Sequence, residues 1–266
     1  AMRIRTPTPL LLAARPGRRT APAGWRGMAC FVALEALVWA ACYGVYLVVR
    51  GLSIGSETEA MRHAAAVIDL ERAAGAFHEA SVQEALRPLA DVFSTYYMVG
   101  PFLAGMLVWL AWRDRALYRR MRTALLVSLA IATVVFVLYP TAPPRLVEGI
   151  GIADTVGLTG HDNGSFMGIR FNPYAAVPSM HVGWSLIAGI YGHRAARSRA
   201  LRLFFLIHPA LMTLTVVATG NHYDFDALAG IAVVGLALLL LARHRAQREL
   251  EPAEPRRLRG SGPQAA

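Results

Sequence analysis

The chain has 266 residues, 55% of them hydrophobic and 17% charged, with a mean hydropathy of +0.41. Soluble domains carry about 25% charged residues, so this composition disfavours a water-soluble globule and excludes disorder, collagen and a disulfide-stapled secreted module. The net charge of +10 comes from 27 basic residues, all Arg, which cluster between long apolar runs. That pattern argues against a nucleic-acid partner and for a membrane protein with basic cytoplasmic loops.

Residues 1–27 are rich in Arg, Pro and Thr, and their one apolar stretch, 10–14, is too short for a signal-peptide core. They are expected to form a disordered cytoplasmic tail. Six apolar segments then meet or approach the roughly 20 residues a bilayer core requires. They are 28–49, 93–112, 123–139, 176–192, 201–219 and 227–242, the fourth and sixth being short. Cys30 and Cys42 both fall in the first; on one helix they stand roughly 18 Å apart, too far to bridge, and read as packing residues. The connection 51–91 places Met61, Ala64, Ala65 and Ile68 at helical spacing, followed by Glu71, Arg72 and Glu79. This predicts one or two amphipathic helices on the outer membrane surface, read as a structural cap on the bundle. The connection 141–175 holds six glycines and no strong periodicity. Residues 243–266, rich in Arg, Pro and Glu, are expected to be a second disordered cytoplasmic tail. The predicted fold is an all-α integral membrane protein: a six-transmembrane-helix bundle over 28–242 with extracytoplasmic amphipathic helices.

Arginine sets the orientation. The first tail holds six, 113–122 five, 194–202 four and the last tail six, against Arg50, Arg62, Arg72, Arg87, Arg145 and Arg170 elsewhere. The positive-inside rule then puts both termini in the cytoplasm, as expected of a multi-pass cell-membrane protein.

Three polar stretches fall at the outward ends of the predicted helices: 139–145 (Tyr-Pro-Thr-Ala-Pro-Pro-Arg), 178–181 (Pro-Ser-Met-His) and 220–226 (Gly-Asn-His-Tyr-Asp-Phe-Asp). Distant in sequence, they converge on one membrane face. His222 and Asp226, four apart, share a helical face; a carboxylate on one imidazole nitrogen fixes the tautomer and frees the other as nucleophile or base. Asp224, two positions on, points elsewhere. Ser179 reads as a helix N-cap with His181 in the first turn, where free amides make an anion site. Arg145 offers a charged fork suited to phosphate. Two histidines, a carboxylate, an Arg and a helix N-terminus describe phosphoryl transfer without a metal or cofactor.

These stretches resemble the motifs of the type 2 phosphatidic acid phosphatase superfamily: Lys-x6-Arg-Pro, Pro-Ser-x-His and Ser-Arg-x5-His-x3-Asp. Pro178 to His181 matches the second, and His222 to Asp226 matches the end of the third. The Pro-Thr-Ala-Pro-Pro and Asn-His-Tyr runs are similar to the branch containing inositol phosphorylceramide synthases. The resemblance covers 140–230 and includes the six-helix plan. It implies His222 as nucleophile, Asp226 as its orienting partner, His181 as general acid and Arg145 as a phosphate ligand. The chain departs from the pattern at Leu138 and Leu146 in the first motif and at Thr215 and Val216 in the third. Arg170, Asn221 and Ser179 are the candidates for the missing phosphate contacts.

The implied activity is a lipid phosphate phosphatase acting through a phosphohistidine at the extracytoplasmic face. The alternative is a phosphotransferase passing a phosphoryl or phospho-alcohol group to an alcohol acceptor. The partners are a phosphorylated lipid and the bilayer. A transporter needs polar residues at the midplane, whereas here they concentrate at one face; a CDP-alcohol transferase needs clustered Asp on a cytoplasmic face and zinc chemistry a His-Glu-x-x-His or Cys cluster, and the sequence has neither. His208 reads as packing, and Glu35 is expected to pair with an Arg or another polar group, without a reaction role. His63, His78, His161, His193 and His244 take no role.

Overall fold

The computed structural model describes residues 25–52, 56–155, 165–166, 169–170 and 173–250. The helices are α1 (Trp25–Leu52), α2 (Glu57–Ala73), α3 (Glu79–Leu86), α4 (Ala90–Tyr97), α5 (Val99–Arg113), α6 (Arg115–Leu138), α7 (Met180–Ala195), α8 (Arg199–Ala218) and α9 (Asp224–Leu250). A two-residue antiparallel ladder, β1 (Ser165–Phe166) with β2 (Ile169–Arg170), lies between α6 and α7.

Four helices are long and apolar enough to cross a membrane among the described residues: Gly27–Val48, Arg115–Leu138, Arg199–Ala218 and Asp224–Glu249. A fifth span results if Glu79–Tyr97 and Gly100–Arg113, bent by 43°, count as one. The sequence predicts six, and the difference has two physical sources. The segment 93–112 is not one helix: Met98 leaves helical geometry (φ −69°, ψ 64°) and separates α4 from α5. Helix α7 has 16 residues, about 24 Å of rise against a hydrocarbon core of about 30 Å. Helix α9, by contrast, runs on to Leu250, past the predicted end of the membrane domain at 242.

Short as it is, α7 is the centre of the bundle and packs against α5, α6, α8 and α9. Its buried residues, among them Val182, Ser185, Ile187, Ala188 and Tyr191, point in every direction around the helix. Closest to the site, α7 and α9 meet backbone to backbone. A Cβ at Gly230 would lie 2.2 Å from the Ser179 carbonyl oxygen, so no larger residue fits. At the far end of the bundle, Glu35 of α1 pairs with Arg122 of α6 and accepts from the Tyr118 hydroxyl at 2.7 Å.

Helix α2 is amphipathic. Ser56 caps it, its side chain accepting from Glu59 N, and the chain buries Ala60, Ala64, Val67 and Ile68 against Ala142, Val177 and Tyr223. The apolar stripe of α2 therefore covers the connecting loops that carry the polar stretches, and the backbone N–H of Ala142 donates to Ala60 O (3.1 Å).

Candidate active site

The three polar stretches are joined by backbone hydrogen bonds at one end of the bundle. Thr141 N donates to Tyr174 O (2.7 Å) and Ala176 N returns to Thr141 O (3.2 Å), so the loop after α6 pairs with the approach to α7. Arg145 N donates to Gly220 O (2.9 Å), and Ser179 N donates to Asp226 O (2.9 Å). Helix α8 ends in a turn at Gly220, whose φ of +66° suits glycine and directs the chain back over the site. The convergence expected from the topology is thus a continuous hydrogen-bonded framework.

His222 lies in the turn between α8 and α9 and is 5% exposed. Its Nδ1 stands 2.9 Å from Ala176 O and 3.3 Å from Asp226 Oδ2. A carbonyl oxygen can only accept, so Nδ1 carries the proton and the Nε2 lone pair is unprotonated. Two acceptors on one N–H hold the ring, and the carbonyl is the closer. Asp226, fully buried, also accepts from Tyr223 N through Oδ2 (3.0 Å), which fixes the carboxylate in turn. Burial pushes the His222 imidazole down from 6.5 to about 4; the Ala176 carbonyl opposes this and the Arg145 charge adds to it. The ring is therefore neutral at physiological pH.

His181 opens α7 two residues after the Ser179 N-cap, whose hydroxyl accepts from Val182 N at 3.5 Å. Ser179 is completely buried, so its cap function is plain. The His181 ring stacks on Tyr97 at 4.0 Å and faces His222 with 5.7 Å between ring centroids. The two imidazoles face each other across a gap, with Tyr97 as the wall behind His181.

Arg145 Nε donates to Asn221 Oδ1 (3.0 Å), and Nη1 lies 3.6 Å from Asp154 Oδ1. Asn221 is 5% exposed and spends its amide N–H on Thr219 Oγ1 (2.8 Å). Both ends of the Asn221 side chain are thus engaged within the protein, one of them orienting the guanidinium. Arg170 lies in β2, and its side chain is outside the described structure. Among the described residues, no three His, Cys, Asp or Glu side chains are arranged to hold a metal ion.

Sequence reasoning passed over four side chains that shape this site. His63 of α2 donates from Nδ1 to Pro140 O (2.7 Å) and stacks on Tyr139 at 3.9 Å, anchoring the first polar stretch. Tyr97 backs His181. Glu71 and Glu79 reach the start of α9. Each sits in a helical pattern that reads as generic, and the Ala176 carbonyl that orients His222 has no side-chain signature at all. Of the residues set aside, His208 is buried in α8 and bonds the Tyr96 hydroxyl, consistent with packing, and Glu35 finds its Arg in Arg122.

The profile of the PAP2 superfamily matches residues 65–240, from the middle of α2 to near the end of α9. The chain is 27% identical over 167 residues to the phosphoinositol dihydroceramide synthase of Bacteroides thetaiotaomicron, an alignment covering 56% of this chain and 53% of the relative. The chain thus spans about half the length of that curated relative. No solved structure matches it.

Proposed function

Since the chain belongs to the PAP2 superfamily, and is a multi-pass membrane protein of a family acting on phosphate esters, we propose that it is a lipid phosphate phosphatase working through a phosphohistidine on His222. The observation that carries this is the His222 tautomer: Nδ1–H is committed to Ala176 O and Asp226, so the Nε2 lone pair is left for attack, and the His181 ring lies 5.7 Å away between centroids. In the first step Nε2 attacks phosphorus, a P–N bond forms and the P–O bond to the lipid breaks. The proton on His181 passes to the leaving alkoxide. A bound phosphate dianion beside Arg145 is the charge that keeps that proton on His181 beforehand. In the second step His181 takes a proton from water, the oxygen attacks phosphorus and the P–N bond breaks, releasing inorganic phosphate.

Arg145 serves as the phosphate ligand, with Asn221 acting through it; the α7 N-terminus behind the Ser179 cap supplies backbone donors, and Arg170 is the further candidate. No metal or cofactor takes part. The clustering of 21 Arg in 1–27, 113–122, 194–202 and 243–266, against six elsewhere in the sequence, supports an extracytoplasmic site in the cell membrane with both termini cytoplasmic. In this reading α7, packed against α5, α6, α8 and α9, and the bent span Glu79–Tyr97 with Gly100–Arg113 complete six crossings over 28–242. The flanking 1–27 and 243–266 form tails, although the helix runs to Leu250 in the second of these. An apolar cavity of 610 Å³ among α1, α5 and α6 is lined by Phe31, Trp39, Leu103, Leu107 and Leu125; it extends from Glu35 at the far end of the bundle to Trp184 and holds none of the site residues.

A second reading shares the first step and passes the group to an alcohol instead of water. The similarity to a phosphoinositol dihydroceramide synthase favours it. One experiment separates the two: purified protein in lipid is given phosphorus-labelled lipid phosphates and phosphatidylinositol in EDTA, with and without a ceramide-type alcohol. Label released as free phosphate supports hydrolysis, and label in a new lipid supports transfer. No turnover in either arm refutes the activity, and turnover that returns only with magnesium or zinc refutes its metal-free form.

A further inference from the structure

Helix α9 begins with amides that have no partner within the helix, as every helix does. Its cap is unusual. Asp224 N donates to Glu79 Oε1 (3.3 Å) and Phe225 N to Glu71 Oε1 (2.7 Å), acceptors that lie 145 and 154 positions away in the sequence. Exposed carboxylates at a helix N-terminus are commonplace, but Glu71 and Glu79 are 4% and 0% exposed, deeper than a surface cap requires. Each keeps its second oxygen, Oε2, buried without a hydrogen-bond partner. Two ionised carboxylates in that position would repel each other, and their orphan oxygens would be costly. One proton between them satisfies both, as hydroxyl on one side and acceptor on the other.

We propose that Glu71 and Glu79 are positioning residues that share one proton and together clamp the first turn of α9, holding His222 and Asp226 in register for the transfer step. The proposal rests on the reading of His222 as nucleophile given above. Glu79 faces Glu71 from α3 and Asp226 faces it from α9; Asp224, next to Glu79, is paired with His78 at 3.0 Å, and Tyr223 lies near Asp226, Glu71 and Glu79. Burial first, then the Glu79 carboxylate, push the Glu71 carboxyl up from 4.5 to about 8, while the Phe225 amide pulls the other way. The sign follows. Between 4.5 and about 8 the unfolded chain has released this proton and the fold still holds it, so the clamp's contribution to stability falls across that window. Above about 8 a second negative charge appears beside Glu79 and the clamp loosens.

The test uses the full chain in lipid nanodiscs and two readouts, infrared spectroscopy of the protonated carboxyl stretch and the pH dependence of kcat and KM. Wild type should show an acid carbonyl band that titrates near pH 8, with kcat falling in the same range. Glu71→Gln, whose amide reproduces the shared donor, should lose that band, keep neutral-pH kcat and lose the alkaline fall. Glu71→Ala should lower kcat about 10 to 100-fold with a far smaller change in KM, because the nucleophile is misplaced while phosphate contacts stay. If the alanine variant does not fold, the glutamine variant decides alone. A wild type with no band titrating there overturns the proposal, as does a Glu71→Gln variant with the wild-type alkaline fall. Should wild type turn over no lipid phosphate, the activity reading fails while the infrared band still judges the shared proton.

Discussion

The two histidines carry separable tasks, and the separation is measurable. His222→Ala removes the atom that bonds phosphorus, so turnover of every substrate should vanish. His181→Ala removes the proton donor of the first step, a contribution there of about 10² to 10⁴-fold and only for leaving groups that need protonation, as well as the base of the second. The first-turnover burst of nitrophenol from nitrophenyl phosphate should therefore keep much of its rate in His181→Ala while first-step release of a lipid alkoxide does not; equal losses in that step would make His181 a phosphate ligand instead. Asp226→Asn should cost well under the about 10⁴-fold of a triad aspartate change, because the Ala176 carbonyl still fixes the His222 tautomer. The His222 shift sets the acid side. Its folded value of about 4 against 6.5 means the stability it contributes is present above 6.5 and lost as pH falls through that range. The acid limb of kcat/KM should accordingly lie well below 6.5, and a limb at 6.5 would contradict the buried neutral imidazole. His181, His222, Asp226 and Arg145 were legible in the sequence because side-chain chemistry at short spacing carries them. The Ala176 carbonyl and the Asn221–Arg145 bond were not, since a backbone acceptor and an amide's partner are settled only by tertiary packing.

At the scale of elements, the close approach of α7 and α9 joins the second and third polar stretches, and Gly230 permits it. Gly230→Ala puts a methyl into the Ser179 carbonyl, so the helices must separate. Overpacking of this kind costs about 1–3 kcal/mol, and the displacement moves His181 relative to His222. A lowered thermal midpoint together with reduced kcat is expected; wild-type values for both would show that the contact is not needed. The amphipathic character of α2 was legible from Met61, Ala64, Ala65 and Ile68, but its task was not. Periodicity reveals that a helix has an apolar face, not that this face covers Val177 and Tyr223 or that Glu71 at its end reaches Phe225. The break at Met98 was hidden for a related reason, because apolar residues continue through it on both sides.

For the whole molecule, charge and hydropathy fix more than any single residue does. Arginine clusters in the connections 113–122 and 194–202, at the ends of α6 and α7 opposite the site, which predicts sidedness. In a background lacking Cys30 and Cys42, a cysteine at the exposed Glu148 should react with an impermeant thiol reagent on intact cells, and one at the exposed Arg197 should not. The reverse pattern would move the chemistry to the cytoplasm. The number of crossings is less visible than their existence, because α7 is short and enclosed by other helices, where length and hydropathy lose their meaning. The account as a whole turns on a covalent bond to His222 Nε2. The most direct measurement is to mix the protein with a lipid substrate labelled at phosphorus, quench within one turnover in base, and map the label. The account predicts an acid-labile, base-stable label on the peptide containing His222, enriched in His181→Ala if the second step is slowed, and absent in His222→Ala. Turnover with no such label, or with label on another residue, would contradict it.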